Sequence, residues 1–286
     1  MKKTIHSLLR GRPALRFIAD AAEVYFSKKA GRAAAELAYF LILTFFPVVI
    51  CASAFLDELD LDLMPLLEQA DPFLPAGVAA IFRDYLTYID TNQSAAMLLS
   101  GGFLTILFAS AAVRGLMNMM GELYGRTTFR GLSQVAASVL FSVLLLVTVY
   151  LSLAVVVTGG WSFRLLEQAL GADGLAGRFS AWQTGKYALL LSMVFLFILL
   201  LYRFAAPLEK PRPPVAPGAL GASAALAAAS AVFSFLMSNS TRYPLVYGSL
   251  ASVIIMLVWL YLCGSILILG GVVNCVLFTR RKERRP

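Results

Sequence analysis

LAYFLILTFFPVVICASAFL, residues Leu37 to Leu56, runs for 20 positions between Glu36 and Asp57 without a charged side chain. A helix rises about 1.5 Å per residue, so a run of that length crosses the ~30 Å hydrocarbon core of a bilayer. The same test picks out five more stretches. Between Asp90 and Arg114 lie 23 uncharged residues, and none of residues 131–163 carries a charge. Tyr187 to Tyr202 is shorter, but Lys186 and Arg203 at its ends can snorkel outward. The last two lie between Arg212 and Arg242 and between Arg242 and Arg280. Six spans are therefore expected, at about 33–56, 95–124, 135–157, 186–206, 217–237 and 247–278. The fold class is an all-α polytopic membrane protein.

Composition agrees. The chain is 59% hydrophobic and 14% charged, with a mean hydropathy of +0.79. Soluble domains hold about 45–50% apolar and about 25% charged residues. Residues 1–32 carry charges throughout and contain no compact apolar core of a cleavable signal. The first span is thus expected to serve as its own insertion signal.

Lys and Arg concentrate in cytoplasmic loops, so their distribution sets orientation. Residues 1–32 carry eight, 114–133 three, 203–214 three and the tail from Arg280 five. Arg83, Arg164, Arg178, Lys186 and Arg242 occupy the alternate connections, so the count is 19 against 5 for both termini inside. The net charge of +8 is explained by this topogenic bias and needs no nucleic-acid partner. A second role is adhesion to anionic lipid, to which each basic residue near the surface contributes about 1 kcal/mol. The chain divides into an N-terminal segment 1–32, a membrane domain 33–278 and a basic cytoplasmic tail 279–286.

Several local features shape the expected bundle. Leu15, Ile18, Ala22 and Tyr25 follow Pro13 at helical spacing, which suggests an interfacial helix to about Lys29; a solvated lead-in is the alternative. Pro47 should kink span one, with Thr44 placed to satisfy the freed carbonyl. The outside segment 57–94 holds eight of the 16 acidic residues. Within it, Val78, Ile81, Phe82, Tyr85, Leu86 and Ile89 form an amphipathic helical stripe. Glycine-rich breaks at Gly159–Gly160 and Gly171–Gly177 mark the second outside connection. The loop EKPRPPVAPG should stay non-helical to about Val215. Gly218, Ala222, Ala225 and Ala229 form a small-residue stripe suited to close helix contact.

The chemistry of soluble hydrolases is missing. His6 is the single histidine, so no His-based metal site can be built from this chain. Cys51, Cys263 and Cys275 fall within spans and are expected as free thiols. Nucleotide-binding and hydrolase motifs are missing as well. No metal, cofactor or catalytic residue is expected.

Three stretches carry a resemblance. LAYFLILTFFPVVI (Leu37–Ile50), SAAVRGLMNMMGELYG (Ser110–Gly125) and YGSLASVIIMLVWLYLCGSILILGGVVN (Tyr247–Asn274) resemble the YihY/BrkB family of inner-membrane proteins. "LYRFAAP" and "APGAL" between them match as well, so the likeness covers about residues 33–278. It implies six spans and a multi-pass protein of the bacterial inner membrane. It does not imply one settled activity: family members carry an older ribonuclease label, and others are linked to serum resistance, virulence or lipid and lipopolysaccharide export. Where the family commonly has Gly-Ala-Glu before the asparagine, this chain has Gly270, Gly271, Val272, Val273 and Asn274. A role for that carboxylate does not carry over.

A polar residue inside a span is costly, about 2.5–3.5 kcal/mol for a central Arg, and is a functional candidate for that reason. Ser110, Arg114, Asn118 and Glu122 recur every fourth residue and share one helical face. Arg114 either faces the bundle and grips an anionic headgroup or snorkels as a boundary marker. The first reading places it in a cavity shared by spans one, two and six, with Tyr39 and Glu36 as neighbours. The candidate cavity residues are Tyr39, Ser110, Arg114, Asn118, Tyr243, Tyr247 and Asn274; for Asn118 and Asn274 a bond across helices is the alternative, and for the tyrosines an aromatic belt. Pro47, Gly218, Gly248, Gly270 and Gly271 are expected to be structural. The function expected is a transporter or flippase-like handler of an anionic lipid or related envelope amphiphile. The alternatives are a scaffold for envelope or virulence-related partners and, third, a membrane-embedded enzyme. A proton-coupled carboxylate relay is missing from the spans, which weighs against a conventional secondary transporter.

Overall fold

The computed structural model describes residues 13–57, 81, 83–89, 94–125, 131–170, 176–206, 212–238 and 250–283. Its long helices are α1 (Pro13–Ser27), α2 (Ala30–Asp57), α3 (Ala95–Tyr124), α4 (Leu132–Leu170), α5 (Ala176–Ala205), α6 (Ala216–Ser238) and α7 (Leu250–Glu283). Residues 83–89 add a short helix between α2 and α3. No strand occurs among the described residues. Six helices are long and apolar enough to cross a membrane: Ala30–Ala54, Ala95–Tyr124, Leu132–Ser152, Ala188–Ala205, Ala216–Phe233 and Val253–Lys282.

Helix ends follow local chemistry. Ser94 caps α3 by accepting the Met97 N–H at 3.2 Å. Gly125 ends it in the left-handed region at φ 69°, a conformation that glycine adopts without a Cβ clash. Lys29, at φ 53°, is the one described non-glycine residue in that region. It turns the chain sharply between α1 and α2, and Ala30 beyond it is fully buried. Residues 212–215 of the proline-rich loop are non-helical, and α6 starts at Ala216.

Three local expectations are corrected. Gly159 and Gly160 do not break the chain: α4 runs through them for 39 residues. Paired glycines lower helix propensity by about 1 kcal/mol each but do not by themselves end a helix that apolar residues continue on both sides. Helix α5 already begins at Ala176, inside the expected second break. Thr44 does not satisfy the carbonyl that Pro47 frees inside α2: its hydroxyl donates to Phe40 O at 2.7 Å, one turn lower.

Close approach of backbones sets the packing. A Cβ at Gly101 would lie 3.2 Å from Ile50, and one at Gly115 would lie 3.3 Å from the Glu36 carboxylate. These paired contacts fix α2 and α3 as antiparallel neighbours. At Gly264 a Cβ would stand 3.1 Å from Ala34 O, which lets α7 lie equally close to α2. Gly270 and Gly271 then face different partners. Gly270 faces Tyr202, Gly218 and Ala222, whereas Gly271 faces Met120. The small-residue stripe of α6 buries Ala222 and brings Gly218 against α7, but leaves Ala225 exposed.

The largest core cluster joins Ala21, Ala34, Leu116, Met120, Tyr202, Ala219 and Val272. It gathers the halves of the spans that the basic loops flank. On the other side the short helix presses Leu86 and the fully buried Ile89 against Val49 and Ile50. Tyr85 meets Phe46 edge-on at 5.0 Å, and burial raises its phenol pKa above 10, with Tyr88 adding to the shift. The described part of the stripe at 78–89 is therefore a packed cover on α2. Val78 and Phe82 lie outside the described residues.

Helix α1 packs through Phe17, Ala21 and Val24. Of the expected stripe, Tyr25 packs against the same core, whereas Leu15, Ile18 and Ala22 are exposed, as is Phe26 beyond them. Helix α1 is thus apolar on two sides.

Candidate functional site

Ser110, Arg114 and Asn118 do share a face, and that face looks at α4. Arg114 Nη1 donates to Ser110 Oγ at 3.3 Å and to Ser138 Oγ of α4 at 3.4 Å. One turn further on, Asn118 Oδ1 accepts from Gln134 Nε2 at 2.5 Å. Gln134 and Ser138 stand four residues apart, so two i, i+4 rows meet as a polar seam between the second and third spans. The seam is graded in burial. Ser110 and Ser138 are buried, Arg114 is half-buried, and Asn118 is exposed.

Both serines make their second bond locally. Ser110 Oγ donates to Leu107 O at 2.9 Å and Ser138 Oγ to Val135 O at 2.8 Å. Their lone pairs thereby remain free to accept from the guanidinium. Arg114 has five N–H donors in a fixed fork, and both of its bonds leave from Nη1. Among the described residues its Nε and Nη2 have no partner, no carboxylate pairs with it, and neither nitrogen is sealed in the interior. That free edge of the fork is the geometry that takes a phosphate or carboxylate side-on.

The cavity expected between spans one, two and six is not where Arg114 points. Tyr39 is 56% exposed on α2 and makes its ring contact with its neighbour Phe40. Glu36 lies against Gly115 in a small crevice with Lys28, Lys29, Arg32, Asn118 and Glu122. The reason is angular: Gly115 follows Arg114 by about 100° around α3, so the helix turns one residue to α2 and the other to α4.

Asn274 also departs from a cavity. It is fully buried; its Oδ1 accepts the Gly218 N–H at 2.7 Å and its Nδ2 donates to Val215 O at 3.0 Å. The first turn of a helix leaves N–H groups without intrahelical partners, and Pro217 supplies none. Asn274 therefore caps α6 from α7, and both ends of its amide are engaged. Above it, the Tyr202 hydroxyl donates to Leu267 O. Tyr243, Tyr247 and Gly248 lie outside the described residues.

Sequence reasoning missed Gln134 and Ser138. Their signal was available: with Ser142 they recur every fourth residue at the start of an otherwise apolar run. Arg203 was passed over as a span end, yet its Nη1 is buried without a partner among the described residues. Cys51, Cys263 and Cys275 are free, and the Cys275 thiol donates to Leu123 O at 3.2 Å. Among the described residues no three His, Cys, Asp or Glu side chains come together.

The chain is 28% identical over 250 residues to the putative ribonuclease-like protein YfkH of Bacillus subtilis, covering 87% of this chain and 90% of the relative. A shorter stretch of 65 residues is 37% identical to the UPF0761 membrane protein PBPRA3489 of Photobacterium profundum, 23% of this chain and 20% of that one. No solved structure matches. The profile of the family described as virulence factor BrkB extends over residues 21–286. With that match across both the polar seam and the Asn274 cap, the chain belongs to the virulence factor BrkB family of multi-pass membrane proteins.

Proposed function

We propose that this membrane protein is a transporter or flippase-like handler of an anionic lipid or a related amphiphile, and that Arg114 receives the headgroup. One observation carries the reading: a cation within a span is held by two serine hydroxyls and keeps Nε and Nη2 unpaired and reachable among the described residues. A boundary marker needs no pair of hydroxyls from two helices to aim it. The flanking surfaces suit the tails: Phe103 and Leu107 on α3 and Leu140 and Val147 on α4 are exposed and apolar. On this reading the substrate is moved and none of its bonds is cleaved. The ribonuclease-like name belongs to the Bacillus relative, and among the described residues no three His, Cys, Asp or Glu side chains come together.

The test is the movement of a fluorescent anionic lipid across reconstituted vesicles, with a zwitterionic lipid as control. Arg114→Leu should abolish the protein-dependent rate for the anionic lipid while membrane accumulation stays normal. Arg114→Lys keeps the charge without the planar fork and should retain a minor part, about a tenth of the rate, for a loss of ~1.4 kcal/mol. Equal rates in all three proteins would remove the headgroup role.

The orientation belongs to the same reading: both termini in the cytoplasm of a bacterial cell, with the protein in its inner membrane. A cysteine at Asp71 in a cysteine-free background should react with an impermeant thiol reagent in intact cells, and one at Arg281 should not. The reverse pattern would invert the topology.

A further inference from the structure

Helix α1 does not close fully onto α7. Between them runs a groove of about 500 Å³, with Phe17, Ala22 and Phe26 on one wall and Leu262, Leu269 and Val273 on the other. That volume falls within the ~300–1,000 Å³ of ordinary ligand sites. The Ser265 hydroxyl on the α7 wall donates to Tyr261 O at 2.8 Å, so it is not free to donate into the groove. Leu262 to Val273 belong to the apolar run Val253–Lys282, which is long enough to cross a membrane.

The groove also has a charged end. The stripe of Leu262, Leu269 and Val273 continues at helical spacing to Arg280. Arg280 donates to Asp20 Oδ2 from Nη2 at 2.5 Å and from Nε at 3.0 Å, and its guanidinium lies 5.3 Å from the Phe17 ring centre. This pair ties the inner ends of the two walls together. Arg281 and Lys282 follow in the same basic last turn and are exposed. An alkyl-lined groove with exposed cations in the turn beyond it suits the acyl chain and the headgroup of an anionic amphiphile.

We propose that the α1–α7 groove is a lipid site that holds an acyl chain of an anionic membrane lipid, with the headgroup against Arg281 and Lys282. It shares no residue with the Arg114 seam and goes beyond the transport reading: this lipid is a resident component that fills the space between α1 and the bundle.

The experiment uses the full chain in mixed phosphatidylglycerol and phosphatidylcholine vesicles doped with one or the other lipid bearing a diazirine in its acyl chain. After irradiation, labelled peptides are mapped by mass spectrometry. Labelling at Ile18 and Leu269 should exceed that at the exposed Leu140 and Val147 of α4 several-fold. Phosphatidylglycerol should label the groove roughly thirtyfold more than phosphatidylcholine, the preference expected from two basic residues near the headgroup at about 1 kcal/mol each. Ala22→Trp, which fills the groove, should bring labelling down to the α4 level. The pair Arg281→Glu and Lys282→Glu should remove the headgroup preference and keep the chain labelling. Arg114→Leu should leave all of this unchanged, so the groove and the transport reading fail separately. Labelling no higher than at α4 means bulk lipid only and overturns the site, as does equal labelling by both lipids in the unmodified protein. Disulfide-linked dimers through Ile18→Cys would place a second copy in the groove and overturn it too.

Discussion

Two polar junctions in this protein use similar side chains to opposite ends. At the α6–α7 junction, Asn274 is sealed from its surroundings and both ends of its amide are bonded to backbone. At the α3–α4 seam, Arg114 is half-buried, and its bonds to Ser110 and Ser138, at 3.3 and 3.4 Å, leave most of its donors without a partner among the described residues. A saturated, buried group has no capacity to bind anything further and works as structure. An unsaturated, reachable charge has that capacity and is inefficient as structure. Polarity within a span therefore marks both kinds of site, and the count of unmet hydrogen bonds tells them apart.

The largest expected effect tests the structural junction at its tightest point. A Cβ at Gly218 would overlap the backbone oxygen of Gly270 and the amide carbon of Asn274, and neither can move aside cheaply. Gly218→Val should lose most folded protein from the membrane, as overpacking costs about 1–3 kcal/mol and more where backbone is the obstacle. Normal accumulation would show that α6 and α7 separate without consequence. That would break the comparison on its structural side.

A smaller loss is expected at Asn274 itself. Asn274→Leu keeps the volume but strands the Gly218 N–H and takes a donor away from Val215 O. Polar contacts between membrane helices average about 0.6 kcal/mol and reach about 1.7, and the loss of a cap lies toward the upper end. The melting temperature in detergent should fall by several degrees, while transport per folded molecule stays the same. Should Arg114→Leu lower the melting temperature equally, the two junctions are not different in kind.

The smallest effect sharpens the other side. Ser138→Ala removes one long bond to Arg114 and leaves the charge in place. The apparent affinity for an anionic lipid should fall about two- to threefold, corresponding to ~0.5 kcal/mol, with no change in melting temperature. A stability change without an affinity change would turn the seam into packing.

The site was half legible. Spacing alone placed Ser110, Arg114 and Asn118 on one face, because periodicity is a property of one helix. Which helix that face meets is a property of two, and nothing in the α3 sequence distinguishes α4 from α2 as the neighbour of Arg114. The same gap separates Asn274 as a candidate ligand from Asn274 as a cap: its partners Val215 and Gly218 are 59 and 56 residues away in sequence.

What the sequence determined by itself is the set of spans. Hydrocarbon excludes backbone groups that are not bonded within their own helix, so length and apolarity alone suffice to identify a crossing helix. Its glycines also marked where helices touch, but not which ones. Only the tertiary structure decided that Gly270 turns to Tyr202 and Ala222 while Gly271 turns to Met120, that Thr44 bonds Phe40, and that α1 leaves an open flank on α7. Within a bilayer all helix faces look alike to the solvent, so close packing and the few available hydrogen bonds choose the neighbours.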